Sequence, residues 1–135
     1  MPKQQSPLQL KGNIQLLVVD TDLRIRSALV RALNLIGYAA EGVSSGREAL
    51  ALLECRKRDL MIIDILLLDL NGVEVVKRAR RRWPELQVII LTRQATLESA
   101  IAGVQLQVAD YLIKPVNTRQ ILTAVSKALE ERNRQ

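Results

Sequence analysis

Four short apolar runs in this chain each end in a polar residue that can take part in chemistry. These residues are Asp20, Asp64, Thr92 and Lys114. Short apolar runs without alternation are typical of strands buried on both faces of a parallel sheet. Ligands of open parallel sheets bind at the carboxyl ends of the strands, so we expect the four side chains to converge there. Two carboxylates, a hydroxyl and an ammonium group at one edge could accept, hold and sense a phosphoryl group.

The elements that must position these residues alternate between strand and helix. Strands are predicted at about 14–19, 38–43, 60–64, 88–92 and 111–114, and each is followed by a stretch with helical spacing. Asp22 is expected to begin the first helix and Gly37 to end it, while Ser44 or Ser45, and Asn117 or Thr118, are candidate caps. The pattern predicts an α/β fold, a doubly wound five-stranded parallel sheet with helices on both faces.

Length and composition favour one domain. The chain has 135 residues and is 48 % hydrophobic without any Phe, so its core is expected to be aliphatic. We expect residues 1–13 to be a flexible leader and residues 14–133 to be the domain. The single cysteine and the absence of His argue against an internal disulfide, His-based catalysis and a zinc site. Neither a membrane span nor a signal peptide is visible, which favours a cytoplasmic setting.

The net charge of +6 could suit a nucleic-acid partner. The densest basic runs, at 56–58 and 77–82, fall where helices are predicted to end, and cations there complement the helix dipole. We therefore interpret both runs as solvated helix ends. Direct nucleic-acid binding is not expected without a separate output domain.

Five motifs make the pattern more specific. In chain order they are VVDTD at 18–22, DLMIID at 59–64, NGVE at 71–74, ILT at 90–92 and DYLIKP at 110–115. Together, over about residues 13–133, they resemble the receiver domain of bacterial two-component response regulators. The resemblance implies a flavodoxin-like strand order 2-1-3-4-5. It also implies a phosphorelay signalling protein that is not an enzyme beyond self-catalysed phosphoryl acceptance and slow autodephosphorylation.

By this resemblance, Asp64 is the phosphoacceptor and becomes an aspartyl phosphate, with a sensor histidine kinase as the partner that donates the group. Mg²⁺ would be held by Asp20, Asp64 and the backbone carbonyl of Leu66. Lys114 would pair with the phosphoryl oxygens, and its peptide bond to Pro115 would be cis.

The resemblance also implies a switch. The Thr92 hydroxyl would move toward the phosphoryl group and Tyr111 would rotate inward, changing the face formed by the fourth helix, the last strand and the last helix. A homodimer through this face is an expected partner arrangement. A static, half-buried Tyr111 is the alternative. Leu66 and Gln94 occupy positions that tune dephosphorylation in the family, and the apolar Leu66 predicts a long-lived phosphorylated state.

Two departures from the family pattern stand out. Thr21 occupies the position of a directly coordinating acid, so the metal site loses one formal charge and Mg²⁺ binding should be weaker. Asp22 could substitute, although it is better placed to start the helix. Leu68 replaces the usual proline in an apolar loop, Leu66–Leu68, which would either form an exposed rim or pack inward.

Three other functions fit parts of the pattern. A degenerate receiver would act through protein contacts alone and never take phosphate. A haloacid-dehalogenase-type phosphatase would use Asp20, but it needs a late acidic pair and the only acids after Lys114 are Glu130 and Glu131. A flavodoxin-like electron carrier would need a phosphate-cradling loop and aromatic residues, which are 2 % of this chain.

Overall fold

The computed structural model of the chain describes residues 11–133, within which five parallel strands form one sheet. The strands are β1 (Gln15–Val19), β2 (Ala39–Val43), β3 (Leu60–Asp64), β4 (Gln87–Thr92) and β5 (Asp110–Ile113). Their order across the sheet is β2-β1-β3-β4-β5. Both the α/β class and the strand order implied by the resemblance are confirmed.

A helix follows each strand. These helices are α1 (Leu23–Ile36), α2 (Gly46–Cys55), α3 (Gly72–Arg82), α4 (Leu97–Gln105) and α5 (Thr118–Asn133). Within residues 11–133, no helix combines the length and apolar character that a membrane span requires. The leader predicted for residues 1–13 falls mostly outside the described residues, and Lys11 and Gly12 are helical.

The sheet divides the core into two layers, because successive strand residues point to opposite faces. Leu16 and Val18 pack in the layer that contains residues of α1 and α5, whereas Leu17 and Val19 pack in the layer of α2 and α3. The alternation sends the side chains of every second residue to the same layer. Asp20, Asp64 and Lys114 all continue rows that face α1 and α5.

Side chains and one glycine set the helix ends as the sequence suggests. Asp22 caps α1 by accepting hydrogen bonds from the backbone N–H groups of the first turn, and Gly37 ends that helix with φ 114°. Of the alternative caps, Ser45 caps α2. Asn117 exchanges two hydrogen bonds with Gln120 at the start of α5. The loops that precede α1 and α5 lie at the carboxyl edge of the sheet, because they follow the ends of β1 and β5.

The interpretation of the basic runs as solvated helix ends is wrong for Arg58 and Arg80. The side chain of Arg58 is only 2 % exposed and its Nη2 lies 2.6 Å from Oε1 of Glu41. Because β1 lies between β2 and β3, Arg58 must cross under β1 to reach Glu41, and it is buried on the way. Arg80 is partly buried, which lowers the pKa of its guanidinium, and it donates to the carbonyl of Gln107. The other cations of both runs are exposed.

Gly72, the first residue of α3, packs directly against the chain that follows Asp64. A Cβ atom at this position would lie 2.4 Å from Cα of Ile65 and 2.9 Å from the carbonyl oxygen of Asp64. Both neighbours are backbone atoms and have little freedom to move. The close approach fixes the start of α3 against the end of β3.

We therefore expect Gly72→Ala to lower the free energy of unfolding by about 2 kcal/mol or more, because the backbone beside Asp64 must shift. Gly103→Ala in α4 is the matched control, since its Cβ would meet side-chain atoms at 3.4 and 3.5 Å, an ordinary contact distance. That variant should be neutral or more stable by up to about 1 kcal/mol, as expected for Gly→Ala within a helix. Urea unfolding of both variants measures the difference, and equal stabilities would contradict the steric argument.

Candidate functional site

The ammonium group of Lys114 lies between two buried carboxylates. Its Nζ is 2.6 Å from Oδ2 of Asp20 and 2.6 Å from Oδ2 of Asp64. The Lys114 side chain is 6 % exposed and the two aspartate side chains are similarly buried. The three residues meet because the ends of β1, β3 and β5 place them on the same face at one edge. Two carboxylates and one ammonium leave one formal negative charge in the group, which a cation could offset.

The second oxygen of each carboxylate is held by the backbone. Oδ1 of Asp64 accepts a hydrogen bond from the N–H of Leu66 at 2.8 Å, and Oδ1 of Asp20 accepts one from the N–H of Asp22 at 2.9 Å. Arg26 reaches the same loop from α1, and its Nη1 donates to the carbonyl of Asp20 at 2.8 Å. Both carboxylates are therefore oriented before any ligand arrives.

Asp22 is the cap at the start of α1. Its Oδ1 accepts from the N–H groups of Arg24 and Ile25. The N–H of Ile25, with that of Arg24 and the nearby cations, holds the pKa of Asp22 below its ordinary value. One oxygen of this carboxylate is therefore used by the helix cap.

Thr21 provides the test of whether the site suits a metal. Its Oγ1 is buried and makes no hydrogen bond within the described protein, as expected for an oxygen that could take a ligand. Among residues 11–133, no group of three His, Cys, Asp or Glu side chains could hold a metal ion. The donors implied by the resemblance would be oxygens from the two carboxylates, the Thr21 hydroxyl and the carbonyl of Leu66. This set fits Mg²⁺ in chemical type, with one carboxylate fewer than the family pattern.

Thr92 and Tyr111, the two residues predicted to form a switch, lie at the end of β4 and in β5. Thr92 is buried at the end of β4, where its hydroxyl donates to the carbonyl of Gln94 at 2.9 Å and accepts from the Gln94 N–H at 3.1 Å. The half-buried Tyr111 packs on the α2–α3 side, and its hydroxyl hydrogen-bonds to Oγ of Ser99 in α4. Tyr111 therefore connects β5 to the first turn of α4.

The apolar loop at 66–68 was expected either to form an exposed rim or to pack inward, and it does some of each. Leu66 is 48 % exposed and Leu68 is 90 % exposed. Leu67 is partly buried and packs against the layer of α2 and α3. The loop thus presents two leucines to solvent near Asp64 while the third anchors it.

Sequence reasoning missed two residues around the site. Asp69 accepts hydrogen bonds from the N–H groups of Gly46 and Arg47 at 3.0 and 2.9 Å, which lower its pKa and tie the loop after β3 to the start of α2. Arg93, directly after Thr92, lies with Nη2 3.3 Å from Oδ2 of Asp22. The predicted strand order could have placed Arg93 beside the site, because it follows the last residue of β4.

Comparison with known proteins agrees with the geometry. A family model described as a response regulator receiver domain matches residues 16–126. The response regulator MprA of Mycolicibacterium vanbaalenii is 32 % identical over 116 residues, which are 86 % of this chain and 50 % of that protein. MprA of Mycobacterium tuberculosis (strain ATCC 25177 / H37Ra) is 30 % identical over 117 residues, 87 % of this chain and 51 % of that protein. The chain thus spans about half the length of these curated relatives.

Solved structures show the same fold. A CheY-like response regulator receiver domain protein from Methanospirillum hungatei JF-1 superimposes with a TM-score of 0.87 at 30 % identity, covering 90 % of this chain and 97 % of that one. The chemotaxis response regulator CheY4 of Vibrio cholerae gives a TM-score of 0.79 at 27 % identity, covering 85 % of this chain and 98 % of that one. Since the family model also matches most of its length, the chain belongs to the response regulator receiver domain family.

Proposed function

We propose that Asp64 accepts a phosphoryl group from a phosphohistidine of a partner sensor kinase, and that this event changes the face formed by α4, β5 and α5. Membership of the receiver family supports a role in two-component phosphorelay signalling. The observation that carries the proposal is the position of Lys114, whose ammonium contacts the carboxylates of both Asp20 and Asp64. The same cation could pair with phosphoryl oxygens once Asp64 is modified.

The proposed step is a displacement at phosphorus. An oxygen of the Asp64 carboxylate attacks, the nitrogen–phosphorus bond of the donor breaks, and the imidazole leaves with the bonding electrons. The chain contains no His, so the donor must lie on another molecule. The backbone N–H of Leu66 and the ammonium of Lys114 orient the attacking carboxylate beforehand. Asp64 is an acceptor in this scheme, and the chain turns over no external substrate.

Mg²⁺ is the proposed cofactor. Asp20, Asp64, the carbonyl of Leu66 and the weakened position Thr21 would hold it. When bound, the ion would offset charge on the phosphoryl group during transfer. The ion would be held by two carboxylates, one fewer than in the family pattern, so its electrostatic attraction to the site would be weaker.

The proposed switch uses contacts already present between β4, β5 and α4. Thr92 would exchange its hydrogen bonds to Gln94 for one to the phosphoryl group, which would alter the loop that leads to α4. Tyr111 is bound to Ser99 on that helix, so a movement of the loop would reach β5. The exposed apolar residues of this face would be the contact surface for a second copy or another partner: Leu97, Ile101, Val104 and Ile113.

A degenerate receiver that only binds partners is the second candidate function. The observation that favours it is Thr21, which leaves the site with two carboxylates. The phosphatase alternative has less support, because Asp20 is buried against Lys114 and the late acids, Glu130 and Glu131, are exposed on α5. The phosphorylated receiver and the degenerate receiver are therefore the two candidate functions.

Incubation with a small phosphodonor and Mg²⁺ should add one phosphoryl group to the wild-type chain, detected as a mass gain that hydroxylamine removes. Asp64→Asn should abolish this gain, because an amide cannot attack phosphorus. Asp110→Asn, at the opposite end of β5, is the control and should behave like the wild type. A wild-type protein that stays unmodified would favour the degenerate receiver.

Thr21→Asp should raise the affinity for Mg²⁺ at least tenfold, because it restores a carboxylate beside Asp20. A fraction of the roughly 4 kcal/mol of one charge contact at an effective dielectric near 20 is sufficient for that change. Calorimetric titration with Mg²⁺ is the measurement, since Trp83 at the end of α3 is remote from the site. Thr123→Asp on the exposed surface of α5 controls for net charge. Equal affinities in Thr21→Asp and the wild type would contradict the assignment of position 21.

Leu66→Asn should shorten the lifetime of the phosphorylated form several-fold, because its amide could orient a water molecule toward phosphorus. Leu68→Asn removes a more exposed leucine of the same loop and should leave the lifetime unchanged. The loss of the phosphoryl group is followed by intact mass after removal of the donor. Wild-type hydrolysis within a few seconds would refute the expected long-lived state.

A further inference from the structure

We propose that Arg93 is a second cation for the phosphoryl group, held over the acceptor site by an ion pair with Asp22 until Asp64 is modified. The inference rests on the proposed function and names an additional residue that would contact the phosphoryl oxygens. Three properties of the ion pair between Arg93 and Asp22 support the inference: its position in the sheet, its exposure to solvent and the charges around it.

The ion pair spans the end of the strand that carries Asp64. Arg93 directly follows β4, and Asp22 lies in the loop after β1. In the sheet, β3 lies between β1 and β4, so these two strands are about 10 Å apart. A contact of 3.3 Å between Nη2 of Arg93 and Oδ2 of Asp22 must therefore cross the carboxyl end of β3. This path places the guanidinium group near the strand end that carries Asp64.

The pair is exposed and its partners can exchange. The side chain of Arg93 is 59 % exposed and that of Asp22 is 37 % exposed. Ion pairs in such surroundings are weak, because water screens the attraction. Lys114 is buried between two carboxylates, so the two cations differ in mobility: Lys114 is held in place, whereas Arg93 is free to change its partner.

Arg93 and Lys114 line one cavity. The cavity has a volume of about 440 Å³ and is also lined by Ile25, Pro115 and Val116. The guanidinium of Arg93 therefore borders the same space as Lys114, the cation that contacts Asp64. The planar guanidinium has paired N–H donors that match two oxygens of a phosphoryl group.

The charges of the site favour the exchange. Phosphorylation replaces the single charge of Asp64 with a group that carries nearly two negative charges. Thr21 leaves the site without one of the carboxylates that would attract Mg²⁺, so a larger share of the new charge is left to protein cations. Arg93 would then move from the carboxylate of Asp22 to the more highly charged phosphoryl group on Asp64.

Asp22 offers a clean way to release Arg93. Its Oδ1 caps α1 while its Oδ2 takes the guanidinium. Asn caps helices about as well as Asp, so Asp22→Asn keeps the cap and removes the charge that restrains Arg93. The two partners of the ion pair can therefore be separated by substitution.

The experiment compares Arg93→Gln, Asp22→Asn and the control Arg31→Gln, which removes an exposed arginine from α1. Each full chain is phosphorylated with a small phosphodonor, and the lifetime of the phosphoryl group is followed by intact mass. Binding of beryllofluoride, a mimic of the aspartyl phosphoryl group, is followed by NMR. Arg93→Gln should lower both the lifetime and the beryllofluoride affinity at least fivefold, and Arg93→Lys should restore part of each. Asp22→Asn should leave both equal to or above the wild type, and Arg31→Gln should change neither.

Two results would overturn the role of Arg93 and leave the proposed function intact. One is an Arg93→Gln variant equal to the wild type in both measurements. The other is a matching loss in Arg93→Gln and Asp22→Asn, which would mean that the ion pair only shapes the loops. A wild-type chain that neither takes phosphate nor binds beryllofluoride would overturn the proposed function itself.

Discussion

An ammonium group shared by two buried carboxylates places strict demands on the rest of this fold. Asp20 and Asp64 repel one another, and burial strengthens that repulsion because the interior screens charge poorly. Lys114 offsets it only if its Nζ stays within hydrogen-bond distance of both. The ends of β1, β3 and β5 must therefore keep their spacing, and each residue must keep its place in the two-residue alternation. A shift of one residue in any of these strands would turn its charged side chain to the other layer.

The loops at this edge are held by neighbouring backbone groups. Asp69 accepts two N–H groups at the start of α2, and Gly72 brings the start of α3 against the backbone after Asp64. On the other side of the site, Asp22 caps α1 and Arg26 binds the carbonyl of Asp20. Apart from the Arg26 hydrogen bond, each anchor uses either the unpaired N–H groups of a helix start or a close backbone contact. The site is thus supported by the same interactions that start the surrounding helices.

The sequence allowed the fold and the central residues to be predicted, because both depend on local patterns. An apolar run that ends in Asp or Lys specifies a strand and the edge at which its last side chain emerges. The errors and omissions concern contacts between distant parts of the chain. In the sequence Arg58 resembles a surface cation, and its contact with Glu41 exists only because the fold places β2 nearby. Arg93 and Asp22 are 71 positions apart, and only the order β1-β3-β4 brings them together.

Thr21 and Arg93 change the charge of this site in the same direction. A carboxylate in place of Thr21 would give the group of Asp20, Asp64 and Lys114 two formal negative charges, whereas the group as it stands has one. A less negative site attracts Mg²⁺ less, but it also repels an incoming phosphoryl group less. Under the further proposal, Arg93 would add a cation only after it leaves Asp22. A single charge contact near 4 Å is worth about 4 kcal/mol at an effective dielectric near 20, which sets the scale for the buried position 21. Water screens the exposed Arg93, so its contribution is smaller. Under the proposed function, part of the neutralisation supplied by a metal ion in the family pattern would pass to the side chains of the protein.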